Sequence, residues 1–405
     1  MEAGGDKKGM LSGIKVLDLS DEKGSFCSKL LADMGADVIK IEEPGGSSSR
    51  MIGPFWGGSP HPERSLSFAY ANTNKRGITL NLENSNGKEL FSRLVKKADI
   101  LVETFPPGYL DGIALGFDVL RGINPRLIMA SITGFGQSGP RKDFKSCDLV
   151  ASAVGGQVYI SGAPSSPPLK PYGEQSNMTG SLFAALGILL ALRRRSMDGL
   201  GGRIDISLQE SVVSTLDHVM VRYFHENIIP KRHGNRHWND FFCILECKDG
   251  YIHLSPFQYW DTLVEWMARE GMAKDLLEEK WEDPDYRLDH ADYIIEALEE
   301  WAKMHTQEEL FEVGQLMRFP WAPVCSPETV LASPQLEERG FFQGIKETEI
   351  GPVLKYARLP FKSSEELSIP FKRAPLIGED NMKVYGKELG LSEESMKTFS
   401  SRGVI

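Results

Sequence analysis

Two short apolar runs, Ile14-Lys15-Val16-Leu17-Asp18-Leu19 and Val38-Ile39-Lys40-Ile41, decide the fold through what lies between them. Phe26, Leu30, Leu31 and Met34 recur there at helical spacing, and Gly35 ends the pattern. Strand, helix and strand with tight connections make a βαβ unit, parallel and right-handed within one sheet. Working outward, the alternation returns as a strand at 77–82, a helix at 86–98 and strands at 100–104 and 127–133. Residues 11–222 therefore read as the N-terminal part of a large, doubly wound α/β domain.

The longest apolar stretch, 181–192, stops at Arg193-Arg194-Arg195, too short to cross a bilayer, so it reads as a buried helix ended by cations at the negative end of its dipole. No membrane partner is expected. A polar turn at 198–202 leads to a strand-like alternation at 203–208. From about Tyr223 the character changes. Residues 243–254 read as a hairpin around Lys248-Asp249-Gly250, and 259–306 are charged and helical, giving a smaller α+β domain over 223–325. Residues 326–405 turn Pro- and Gly-rich, as at Gly351-Pro352, before a closing helical pattern. The first ten residues lack the apolar run of a signal peptide and read as a disordered lead-in.

Composition removes several function classes. A net charge of -10 and a pI near 5.5 lack the basic stripe of a nucleic-acid binder. Five scattered cysteines fit reduced thiols in the cytoplasm. His233 and His237 with Cys243 and Cys247 offer no clean zinc spacing, so no metal is expected. The basic string 231–237 reads either as a solvated loop or as a contact for phosphates or a partner subunit.

Several segments resemble, in order, landmarks of the class III coenzyme A (CoA) transferases, the family of formyl-CoA transferase, carnitine CoA-transferase and the alpha-methylacyl-CoA racemases. They are 11–19, 31–42, Asn74-Lys75-Arg76-Gly77-Ile78, Val102-Glu103-Thr104-Phe105, Gly134-Phe135-Gly136-Gln137-Ser138-Gly139-Pro140 and 373–379. The resemblance implies a Rossmann-like large domain to which 326–405 return. It also implies a dimer of two ring-like chains threaded through each other. CoA or acyl-CoA is then a substrate, with no permanently bound cofactor. Asn74, Lys75 and Arg76 are the implied phosphate ligands, Thr104 and Phe105 the implied neighbours of adenine and pantetheine, and Phe135 a further implied CoA contact.

In this family an aspartate attacks the acyl-CoA thioester, and the acyl and CoA groups then exchange through anhydride and thioester intermediates. The resemblance puts that aspartate at Ser176, four residues before Gly180. A serine needs an adjacent base and forms an ester too inert for exchange. Glu174 offers the nearest carboxylate, displaced by roughly 6–7 Å of extended chain. Two arginines that contact the nucleotide in the family fall on Glu43 and Gly112. A glutamine falls on Lys23, and a Gly-Pro on Ser25-Phe26. The histidine of the racemases falls on Cys147, which argues against proton abstraction.

A chain with the fold landmarks but without the nucleophile implies a heteromer in which a sister subunit carries the aspartate. The heteromeric member it most resembles moves CoA from succinyl-CoA to benzylsuccinate, in anaerobic toluene degradation. Two alternatives stand beside this reading: a homodimeric transferase using Glu174, and a noncatalytic acyl-CoA-binding protein.

Overall fold

The computed structural model describes residues 9–237, 239–240, 242–346, 353–364 and 371–405. Most of the lead-in expected over the first ten residues, and the Gly351-Pro352 turn, lie outside them. Six strands form one sheet: β1 (Lys15–Leu19), β2 (Asp37–Glu42), β3 (Arg76–Thr79), β4 (Ile100–Glu103), β5 (Ile128–Thr133) and β6 (Gly202–Ser207). All neighbours pair in parallel, in the order β3-β2-β1-β4-β5-β6. The order reverses between β1 and β4, so a crevice opens there beyond the carboxyl ends of the strands.

Alternation along each strand shows why this sheet is covered twice. Leu17, Ile39, Leu101 and Met129 enter one core with α2 (Ser85–Val95), while Val16, Val38, Ile100, Val102 and Ile128 enter another with α1 (Ser25–Asp33) and α4 (Gln175–Asp198). The C-terminal segment closes the first core. Val384, Tyr385, Met396 and Ile405 pack into it, and the Tyr385 hydroxyl donates to the Thr79 carbonyl at 2.7 Å.

The long helix α4 corrects the expectation drawn from 181–192. It has 24 residues and passes Arg195 to end at Gly199, whose positive φ of 77° provides the left-handed cap. It is long and apolar enough to cross a bilayer, yet it packs on α1, β5 and β6 and buries Ser176, Asn177, Ser181 and Arg195. The Arg195 guanidinium is held by Asp99 at 2.8 Å. Its companions in the large unit are α3 (Asp148–Val154), α5 (Leu208–Val213) and α6 (Asp217–Glu226).

The chain divides into two units: one of the part up to Val158 with Lys170–Glu226 and Glu337–Ile405, the other of Tyr159–Leu169 with Asn227–Leu336. The boundaries lie after 226 and 336, against the expected 222 and 325. Residues 159–169 join the smaller unit because they bond to its loop: Gly234 N–H donates to the Gly162 carbonyl at 3.1 Å and Arg232 to the Tyr159 carbonyl at 3.2 Å.

The smaller unit pairs β7 (Cys243–Cys247) with β8 (Gly250–Leu254) across the two-residue turn Lys248-Asp249, then adds β9 (Ala322–Pro323). Cys243, Leu245 and Cys247 alternate inward, which gives both cysteines a packing role. The hairpin of β10 (Phe342–Lys346) and β11 (Val353–Ala357), in the large unit, had no counterpart in the sequence reading.

Candidate active site

A cavity of about 740 Å³ opens at the switch point, lined by residues just beyond β1, β2, β3, β4 and β5. One wall is apolar and aromatic: Leu82, Phe105, Pro106, Pro107 and Tyr109, with the Phe105 and Tyr109 rings stacked at 4.6 Å. The lining also includes Lys142, Asp143 and Lys145 from the segment after β5. Neither lysine has an ion-pair partner among the described residues, so both are free to meet an anion. The other charges facing the cavity are mixed. Glu42 is locked by Arg50 at 2.8 Å and Lys23 pairs with Asp21, whereas Glu43 and Glu83 leave negative charge at the surface.

The wall contributed by the β1–α1 turn is tightly built. Ser20 and Asp21 line the cavity, and the Asp21 amide donates to Thr104 Oγ1 at 2.8 Å, joining this turn to the end of β4. A Cβ on Gly24 would stand 2.8 Å from Thr104 Cγ2 and 2.9 Å from Ser20 Cβ, so α1 can begin this close only with glycine. Beneath the wall lies a buried ionic cluster. Asp18 Oδ2 is 2.9 Å from Lys75 Nζ, and its Oδ1 is 3.7 Å from Lys40 Nζ. Burial alone would raise the Asp18 carboxyl, but the two lysines and the Ser20 and Ser28 hydroxyls hold it well below the usual range. Burial lowers Lys75 to about 8 against the pull of Asp18.

Of the six residues implied as nucleotide contacts, Thr104 and Phe105 line the cavity. Asn74, Lys75, Arg76 and Phe135 are not among the lining residues. Asn74 adopts a positive φ of 63° and donates to Asp33 at 2.7 Å. Lys75 is enclosed by Asp18, Ser25, Ser28 and Asn72. Arg76 is clamped between Asp37 and Glu388, and Phe135 meets Phe144 edge to face.

At the N-terminus of α4, Ser176 is fully buried. Its hydroxyl lies 2.6 Å from Ser152 Oγ and 3.2 Å from the Asp148 carbonyl, and among the described residues no carboxylate or imidazole accepts from it. The Asp148 carboxylate instead accepts the amides of Ser176 at 2.8 Å and Asn177 at 3.2 Å, and its other oxygen is 3.1 Å from Lys170 Nζ. Glu174, at the cap position, is exposed and accepts from Asn177 Nδ2 at 3.0 Å. Partial desolvation and then the nearby Asp148 raise its carboxyl.

Sequence reasoning missed Asp18, Glu103, Lys142, Lys145 and Asp148. Asp18 and Glu103 had a legible signal, a carboxylate within the last two residues of a largely apolar strand. Glu103 is buried, accepts the Phe105 amide at 2.8 Å, and is pushed by burial up to about 7.

Residues 11–381 match the sequence model of CoA-transferase family III. The beta subunit of succinyl-CoA–L-malate CoA-transferase of Chloroflexus aurantiacus is 33% identical, over 98% of both chains. The BbsE subunit of succinyl-CoA:(R)-benzylsuccinate CoA-transferase of Thauera aromatica is 31% identical, over 92% of this chain and 93% of that one. A CAIB/BAIF family protein from Brucella suis has the same fold, with a TM-score of 0.82 at 29% identity over 94% of this chain and 99% of its own.

Proposed function

The chain belongs to CoA-transferase family III, and from that premise we propose that it is the non-catalytic subunit of a heteromeric CoA-transferase. The enzyme moves CoA from an acyl-CoA such as succinyl-CoA to a carboxylic acid such as benzylsuccinate. The sister subunit, interlocked with this chain, supplies the aspartate nucleophile, and the exchange takes place in the cytoplasm. One observation carries the reading. The hydroxyl at the position assigned to the nucleophile is sealed from solvent and bonded to another serine, and the nearest buried carboxylate is bound to helix amides.

Two further observations support it. Two relatives are named as subunits of succinyl-CoA-dependent transferases. Apolar side chains are also bare on this chain: Leu182, Leu186 and Leu190 on α4 and Val221 and Phe224 on α6, a helix with no buried residue of its own. Apolar surface on this scale calls for a partner chain.

In this reading the cavity takes CoA. The Phe105–Tyr109 wall provides a stacking and apolar surface, and Lys142 and Lys145 offer charge-assisted bonds to phosphates. A structural subunit has less need of tight binding, which fits Glu43 and Glu83 facing the same space.

A second reading is favoured by Glu174 alone. It is an exposed carboxylate with a raised pKa beside the Ser176 position, and it would serve as the nucleophile of a homodimer. A CoA-exchange assay between succinyl-CoA and benzylsuccinate separates the two. The chain is compared alone and coexpressed with its closest genomic neighbour. Activity confined to the pair supports the silent subunit. Turnover by the chain alone, abolished by Glu174→Gln, overturns it.

A further inference from the structure

We propose that Lys75, acting with Asp18 and Lys40, is a positioning residue: it fixes the β1–α1 wall of the cavity from below. It is not itself a ligand of phosphates. The functional part of this inference rests on the reading that the cavity takes CoA.

The hydrogen-bond geometry carries the argument. An ammonium has three N–H donors, and Lys75 Nζ already lies within 2.9 Å of Asp18 Oδ2, Ser25 O, Ser28 Oγ and Asn72 Oδ1. No donor remains for a ligand, and the side chain is sealed from solvent. What Lys75 holds is Asp18, and what Asp18 and Lys40 hold is Ser20. Asp18 Oδ1 accepts the Ser20 amide at 2.9 Å and the Ser20 hydroxyl at 2.5 Å, while Lys40 Nζ donates to the Ser20 carbonyl. All three polar groups of one cavity-lining residue are thus fixed by the cluster. Asp21 follows and is strapped to β4 through Thr104.

The path of bonds therefore runs across the switch point, from Lys75 just before β3, through Asp18 on β1 and Lys40 on β2, to Thr104 beyond β4. Replacing buried ion pairs with apolar side chains of similar volume is often neutral or stabilising, so bulk stability does not explain their presence here. A polar network in a low-dielectric interior does confer a single geometry. The two cations and one anion also leave a positive charge beneath a wall that would face phosphates.

The test uses the chain copurified with its partner, CoA as the probe, and hydrogen exchange read on peptides of this chain alone. In Lys75→Met the amides of Ser20 and Asp21 should exchange roughly tenfold faster than in wild type, while those of β5 and β6 keep their rates. The CoA concentration that half-protects the 104–110 peptide should rise by roughly tenfold. Ser28→Ala, at a residue outside the cavity lining, removes one bond to Asp18 and one to Lys75 and leaves no buried charge unpaired. It should speed exchange at Ser20 and Asp21 and raise that concentration, each about threefold, and it decides the matter if Lys75→Met does not fold. Unchanged exchange at Ser20 and Asp21, or a uniform rise that includes β5 and β6, overturns the positioning role. A wild-type 104–110 peptide that CoA never protects overturns the cavity reading, and the exchange at 20–21 then still decides whether the cluster fixes the wall.

Discussion

Asp148 and Ser176 are joined by the carboxylate of one and the backbone of the other: Asp148 Oδ1 accepts the Ser176 amide at 2.8 Å and leaves the serine hydroxyl to Ser152. A base that would activate a serine must take its hydroxyl proton. The Asp148 carboxylate accepts the backbone amide instead, so α4 begins on a capping contact and not on a catalytic dyad.

Ser176→Ala should therefore leave CoA exchange by the assembled enzyme within about twofold of wild type, while the lost Ser152 contact lowers stability by about 1 kcal/mol. Steady-state kinetics and urea unfolding of the same preparation measure both. A fall in kcat of a hundredfold with unchanged stability would return Ser176 to the chemistry.

Asp148→Ala removes the acceptor from two amides at the positive end of a 24-residue helix. The cost should be about 2–3 kcal/mol, read as a lower urea midpoint at unchanged m-value, and Asp148→Asn should cost less because it keeps an acceptor. Equal losses in both variants would show that charge, and not the hydrogen bonds, makes the cap.

The sheet was legible because its signal is local. Apolar runs such as Val38-Ile39-Lys40-Ile41 carry the strand in four residues, and all six expected strands pair in one parallel sheet. The site was legible only where the chain itself carries it. Thr104 and Phe105 follow a strand directly and face the cavity. Lys75 lies in a polar turn, and its burial depends on Asp18 and Ser28, tens of residues away. Lys142 and Lys145 reach the cavity through a long connection after β5 that has no periodicity to read. The chain path of 159–169 into the smaller unit is likewise set by hydrogen bonds from the Gly234 amide and the Arg232 guanidinium and not by composition.

Glu103 should make stability depend on pH. Its folded pKa is raised to about 7 from an ordinary 4.5, so between these values the folded state binds more protons than the unfolded one. Stability is then greatest below 4.5, as far as this group is concerned, and is lost as pH rises towards and through 7. Glu103→Gln keeps an acceptor for the Phe105 amide and removes the charge. It should stabilise the protein by roughly 2–3 kcal/mol at pH 8 and by nothing measurable at pH 4.5. Urea titrations at the two pH values decide. An equal effect at both would assign the change to packing.

Lys142 and Lys145 differ from Asn74, Lys75 and Arg76 in facing the cavity without an ion-pair partner among the described residues, and that difference sets opposite expectations for salt. A free, exposed ammonium that meets a phosphate contributes about 0.5–1 kcal/mol at low salt and less as the Debye length shortens. The double variant Lys142→Gln, Lys145→Gln should therefore weaken CoA binding by roughly five- to tenfold at 20 mM salt and by less than about threefold at 0.5 M. Hydrogen exchange of the 104–110 peptide against CoA concentration, at the two ionic strengths, gives the numbers. A loss that is the same at both would mean that the two side chains shape the cavity and do not hold charge against charge.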